Sequence, residues 1–152
     1  MNISNKVSRN SGFDPKTANK FMGKIGHGGF LDMEYSGHGT DWVELSLDWR
    51  EDLVGDPQTG VIASAVVISL LDNATSMSIW NLRGTFAAQV TMDLRVDYLR
   101  PSPSGAKVFG RGICYHLSRT IGFVRGIAHN GEIDDPLAYA SGTFIQLGDI
   151  PR

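Results

Sequence analysis

Asp72 is the single ionisable side chain between Asp56 and Arg83, and it stands inside an otherwise apolar and small-polar run, GVIASAVVISLLDNATSMSIW, from Gly60 to Trp80. The positions three and four residues away are Ile68, Ser69, Thr75 and Ser76, so no Arg or Lys can neutralise the carboxylate locally. Two readings follow. Asp72 is either a structural acid, hydrogen-bonded by Ser69, Ser76 or a strand backbone, or an acid facing a cleft and able to act as general base or nucleophile. The start of the same run carries a second feature. Gly60 and the small residues Ala63, Ser64 and Ala65 let a ligand come close to the first turn of a helix, where free N–H groups and the positive dipole end favour an oxyanion. A carboxylate and an oxyanion site are the parts of an acyl-transfer centre. Ser64 and Asp72 are eight residues apart, about 12 Å along a helix axis, which is too far to serve one carbonyl carbon. A second, antiparallel copy of the helix brings them together, and an active site across a two-fold dimer is the expectation.

The elements that must position these residues follow from pattern. Asp14-Pro15 reads as an N-cap with Pro at the first helical position, opening a short helix through about Met22. Gly23, Gly26, Gly28 and Gly29 are expected to end it, which makes His27-Gly28-Gly29 a loop. Two strands are expected between about 30 and 49. In the second, Val43, Leu45, Leu47 and Trp49 alternate with Glu44, Ser46 and Asp48, predicting one buried face. Turn residues 55–60 precede a run, from Val61 to about Asn81, too long for a strand. Its apolar residues fall nearly all round a helical cylinder, so it is expected to be a central helix enclosed by other structure. Val90, Met92, Leu94, Val96 and Tyr98 then alternate with Gln89, Thr91, Asp93, Arg95 and Asp97, of which Asp93, Arg95 and Asp97 are expected to be a polar row facing solvent or another subunit. Three more strand-like runs cover about 106 to 117, 120 to 130 and 137 to 147, and their short turns predict antiparallel neighbours. An antiparallel sheet wrapped on one helix is an α+β fold.

The 152 residues fit one domain, expected over 13–152 after a flexible polar tail at 1–12. Fourteen basic against 16 acidic residues, with no basic cluster, point away from nucleic acid and anionic lipid. The N-terminal MNISNKVSRNSG has no apolar core of a signal peptide, and polar residues interrupt the long apolar run, so a soluble cytoplasmic protein with no membrane partner is expected. The lone Cys114 excludes an internal disulfide and, within GICYHL, reads as a structural strand residue. His38, His116 and His129 show no metal-ligand spacing, and no phosphate-binding glycine motif is present, so metal and dinucleotide readings fall away.

Three segments, VGDPQTGVIASAVVISLLDNA, VTMDLRVDYLRPSPSG and HLSRTIGFVRG, resemble the hotdog-fold acyl-CoA thioesterases of the phenylacetate-degradation (PaaI-like) type, over nearly all of the chain after the tail. That family usually reads G-N-P-x-T-G-V-x-H-G-G, then its catalytic Asp seven residues later, then T-x-D-L-x-V-x-Y-L-R-P. The resemblance implies a sheet wrapped on a central helix, homodimers that often pair into homotetramers, an acyl-CoA substrate and no cofactor. It implies Asp72 as the catalytic carboxylate, the Ser64 amide as oxyanion donor, and Thr91 as a hydroxyl that helps place the water. Substrate contacts are expected at Asp56, Gln58, Gly60, Ala63 and Ala65, and at Arg119, whose place in a turn suits a CoA phosphate. The chain departs from the pattern with Ala63-Ser64-Ala65 in place of His-Gly-Gly and with Asp56 in place of Asn. An amide survives any side-chain change except to Pro, whereas the imidazole at position 63 is gone. The second reading is therefore a hotdog protein that binds acyl-CoA or a related ligand without turnover. A hydratase of the same fold comes third, since the Asp/His pair it needs is missing from the right segments.

Overall fold

In the computed structural model, which describes residues 12–147, Asp14 caps the first helix as the sequence suggests. Its carboxylate accepts from the Lys16 and Thr17 N–H groups, and α1 runs Pro15–Met22. The tail expected over 1–12 lies outside the described residues except for Gly12.

The glycines that follow do not make a loop. Gly26–Leu31 form a second short helix, α2, which corrects the expectation for His27-Gly28-Gly29. These glycines serve close approach: a Cβ on Gly28 would lie 2.9 Å from the Met22 carbonyl oxygen, and one on Gly29 2.6 Å from the Lys24 carbonyl carbon.

β1 (Glu34–His38) and β2 (Trp42–Leu47) form a hairpin. A 3₁₀ turn (Glu51–Leu53) leads to β3 (Val54–Asp56), which pairs with β4 (Val61–Ile62). The long helix, α3, spans Ser64–Arg83 and ends at Gly84, whose φ of 75° and N–H bond to the Trp80 carbonyl close it. Val61 and Ile62 thus belong to a strand rather than to the helix expected from Val61, because they pair with β3 and the Ala63 N–H donates to the Leu53 carbonyl. β5 (Gln89–Tyr98), β6 (Val108–Leu117), β7 (Ile121–His129) and β8 (Ala138–Gln146) follow. Six strands form one antiparallel sheet in the order β1-β2-β6-β7-β8-β5. It packs against α3 through Val43, Leu45, Leu47, Val108 and Ala128, which meet Leu70, Leu71, Ala74 and Met77. Mixed helix and antiparallel sheet make the α+β class expected.

Two burial expectations need correction. β2 is buried on both faces: Glu44 is 9% and Ser46 2% exposed. Its polar face is covered by side chains, with Glu44 accepting from Arg111 Nε (2.8 Å) and lying 3.1 Å from His129 Nε2, and Ser46 accepting from Ser36 (2.9 Å). The reverse holds for α3, which is not enclosed on every side. Ser64, Ala65 and Ile68 are exposed and Ser69, Asp72 and Ser76 half-buried, leaving one open stripe. The sheet covers the Val66/Leu70/Ala74 side and stops at β5, an edge strand with Val90, Met92 and Tyr98 exposed.

α3 comes so close to β6 that a Cβ on Gly112 would lie 2.3 Å from the Ala74 carbonyl carbon and the Thr75 nitrogen. Backbone cannot rotate away as a side chain can. Gly112→Ala is expected to destabilise the fold by roughly 1–3 kcal/mol, seen as a lower midpoint in urea with an unchanged slope. An unchanged midpoint would contradict this packing.

Candidate active site

The first turn of α3 carries no side-chain cap: Ala63 precedes it at φ −57°, ψ 135°. The Ala63 N–H is used by Leu53 and the Val66 N–H by the Ala63 carbonyl, while Ser64 and Ala65 open the helix with amides that have no carbonyl one turn back to bond. The Tyr98 hydroxyl donates to the Ser64 carbonyl (2.8 Å), tying the helix start to β5, and partial burial pushes the phenol's pKa up. A cavity of about 540 Å³ opens here, lined by Asp56, Ile62, Ala63, Ser64, Tyr98 and Ser102 among others. The Ser102 hydroxyl, 6% exposed as a residue, is buried without a hydrogen-bond partner. Gly60 turns the chain into this region at φ 71° and its carbonyl accepts from Trp49 Nε1 (2.8 Å).

Asp56 closes the preceding turn on itself. Its carboxylate accepts from the Thr59 hydroxyl (2.7 Å) and from the Gln58 N–H (3.0 Å), and these bonds, the hydroxyl first, hold its pKa below the ordinary range. Gln58 itself is exposed.

Asp72 lies two turns further along α3. It is half-buried on the open stripe rather than shut inside, and its Oδ1 accepts from the Thr91 hydroxyl of β5 (2.8 Å). The hydroxyls considered for a structural role are engaged elsewhere: Ser69 Oγ donates to the Ala65 carbonyl (3.0 Å), and Ser76 Oγ accepts from Gln89 Nε2 (2.7 Å). Thr91 reaches Asp72 because β5 is bulged. The register with β8 shifts between Thr91 and Asp93, so Gln89 and Thr91 contact α3 before the bulge and Leu94 and Val96 pack on the core after it. Asp93, Arg95 and Asp97 are exposed, as expected of the polar row.

Within one chain these residues form two groups. Asp56, Gly60, Ala63 and Ser64 converge at the start of α3; Asp72 and Thr91 sit about 12 Å along its axis. Arg119 joins neither. It lies in the turn after β6, where its carbonyl accepts from Arg83 Nη1 (3.1 Å) at the far end of the helix. Ala65 borders a second cavity, of about 180 Å³, together with Ala63, Ser69, Phe30 and His27.

His27 is the contact that sequence reading missed. Its Nε2 is 2.9 Å from Ser69 Oγ, across 42 positions, a separation no periodicity reveals. Tyr98 was equally hidden, since it reads as one more apolar member of an alternating strand. Cys114 is 1% exposed, and burial pushes its thiol up to about 11, as suits a structural residue. Among the described residues, no group of three or more His, Cys, Asp or Glu side chains could hold a metal ion, and no helix is long and apolar enough to cross a membrane.

A helix half-wrapped by a six-stranded antiparallel sheet, with a carboxylate on the helix's open side, is the hotdog architecture, and comparison with known proteins agrees. The thioesterase superfamily sequence model matches residues 59–136, just over half of the chain. The chain belongs to the thioesterase superfamily and has the hotdog fold of its PaaI-like members. A Pseudomonas aeruginosa protein of known structure is 25% identical, with a TM-score of 0.76 over 86% of this chain and 96% of that one. A thioesterase of Haemophilus influenzae superposes at 0.79 with 20% identity, over 91% and 94% of the two chains. The PaaI protein from the phenylacetic acid degradation operon of E. coli superposes at 0.74 with 14% identity, over 86% and 91%. The search of curated proteins returned no match.

Proposed function

We propose that the chain is an acyl-CoA thioesterase whose active site is assembled between two antiparallel copies of α3. The observation that supports this reading is the placement of Asp72: its carboxylate is held by Thr91 on the open side of α3, two turns from free amides at the start of the same helix. A two-fold axis near Ile68, midway between Ser64 and Asp72, sets the Asp72 of one subunit against the Ser64 amide of the other.

The thioester carbonyl oxygen then accepts from the Ser64 N–H at the positive end of the helix. Thr91 occupies Asp72 Oδ1, and Oδ2 takes a proton from water as the water oxygen attacks the carbonyl carbon. The carbon–sulfur bond breaks as the tetrahedral intermediate collapses, and the proton on Asp72 passes to the sulfur, releasing free acid and CoA thiol. No cofactor enters the sequence. The 540 Å³ cavity beside Ser64 has room for an acyl group.

The test is a panel of acyl-CoAs with release of free thiol as the readout, and turnover that depends on Asp72 is the expected result. Binding without turnover is the second reading. It is favoured by the methyl group of Ala63, which puts no hydrogen-bonding side chain at the helix mouth, and an inert wild type that still binds a non-hydrolysable acyl-CoA analogue would establish it.

Assembly can be tested separately. Ile68 is 40% exposed on the open stripe and would bury against its own copy. Ile68→Glu is expected to turn a dimer or tetramer into a monomer by light scattering and to remove turnover with it, because like charges would meet on the axis. A monomeric wild type that hydrolyses thioesters at micromolar concentration overturns the composite site.

A further inference from the structure

The small cavity beside α3 contains a chemical group that the proposed reaction has not used. His27 is the sole histidine among the described residues that touches the open stripe of α3: His38 bonds Tyr35, His116 packs on Phe123, and His129 faces Glu44. It is held there from both sides. Arg50 Nη2 donates to the Phe30 carbonyl (3.0 Å) and its guanidinium lies 5.7 Å from the Phe30 ring centre, fastening α2 down, while Nε2 of the imidazole meets Ser69 Oγ at 2.9 Å.

The hydrogen-bond chain assigns the proton. A serine hydroxyl has one hydrogen, and that of Ser69 goes to the Ala65 carbonyl, so toward His27 the serine oxygen acts as acceptor and Nε2 carries the N–H. In the neutral ring Nδ1 is then a lone pair, and it makes no hydrogen bond within the described residues. His27 lines the same cavity as Ala63 and Ala65, the neighbours of Ser64 on either side. Its partner Ser69 shares a face of α3 with Asp72, three residues further along.

We propose that His27 is a third member of the active site and orients the attacking water. This rests on the dimeric thioesterase reading above. His27 belongs to the subunit whose Ser64 amide holds the carbonyl, and Asp72 comes from the partner subunit. The water gives one hydrogen to Asp72 Oδ2 and points the other at His27 Nδ1, which leaves an oxygen lone pair aimed at the carbonyl carbon. His27 accepts a hydrogen bond only, and its proton count does not change through the step. Ser69 is a positioning residue: by accepting from Nε2 it fixes both the tautomer and the ring's direction.

The experiment compares wild type, His27→Ala and Ser69→Ala on the best substrate of the acyl-CoA panel, at equal folded fraction. His27→Ala is expected to lower kcat by roughly 10- to 10²-fold with KM changed by less than about threefold, since water placement acts on the chemical step rather than on binding. Added imidazole should recover part of that loss in His27→Ala, beyond any effect on Asp72→Asn. Ser69→Ala, which keeps the imidazole but frees it, should lose less and gain nothing from imidazole. Where His27→Ala does not fold, Ser69→Ala alone decides, and an unchanged kcat there overturns the proposal. An active wild type with His27→Ala retaining more than half of kcat overturns the role of His27 and leaves the thioesterase reading standing. A wild type inert on every thioester overturns both.

Discussion

Asp72→Asn is expected to lower thioester hydrolysis by roughly 10²- to 10⁴-fold while the protein stays folded, because the amide keeps the shape of the carboxylate but cannot take a proton. The surroundings make the substitution a clean one. Asp72 is half-buried, its hydrogen-bond partner is the Thr91 hydroxyl, and Asn can accept from the same hydroxyl through its own Oδ1. A structural acid would behave differently, since loss of a charge that held the fold would show in thermal stability before it showed in rate. The measurement is kcat by thiol release together with a melting curve. An equal kcat in the folded Asn variant would assign Asp72 a structural role and remove the base from the mechanism.

The second large effect concerns a donor that has no side chain. Ser64→Pro deletes one N–H and is expected to cost roughly 10²- to 10³-fold in kcat, the range measured when one oxyanion donor is removed. At most helical positions proline would wreck the element, but Ser64 is the first residue of α3, where proline's fixed φ suits the helix and no intrahelical bond is lost. The preceding residue also tolerates it, because Ala63 has the extended ψ of 135° that a residue before proline prefers. The melting temperature should therefore move little. Ser64→Ala is the control: it removes the hydroxyl, keeps the amide and should retain most of the activity. Equal losses in Ser64→Ala and Ser64→Pro would transfer the role from the amide to the side chain.

Much of the fold was legible because hydrophobic period reports on geometry wherever one element packs against one surface. The long run to Asn81 is a helix from Ser64 onward, as its length suggests, and β6, β7 and β8 appear where alternation and turn residues place them. The failures share a cause. Glycine is read as a helix breaker, yet in α2 it lets the helix lie where a Cβ would come within 3 Å of the Met22 and Lys24 carbonyl groups. The polar face of β2 looks solvated in sequence and is covered by Arg111 and His129, which come from strands far along the chain. In β5, ten residues alternate without interruption, but the bulge between Thr91 and Asp93 changes which parity faces the helix. The same division holds at the candidate site. Asp72 stands out as a charge in an apolar run, and Thr91 was found through the family pattern, whereas the His27–Ser69 pair is a product of tertiary structure alone.

Ala63 borders both cavities, and Gly55 leaves it no slack: a Cβ there would lie 2.8 Å from the Ala63 Cα. A single small residue thus belongs to both spaces. Any larger residue at 63 shrinks one space or the other, so a change selected for the group bound in one cavity is felt in its neighbour. Substitutions lining the two cavities should then show epistasis that runs through position 63, and evolutionary routes to a new ligand should pass through that position early or be closed by it.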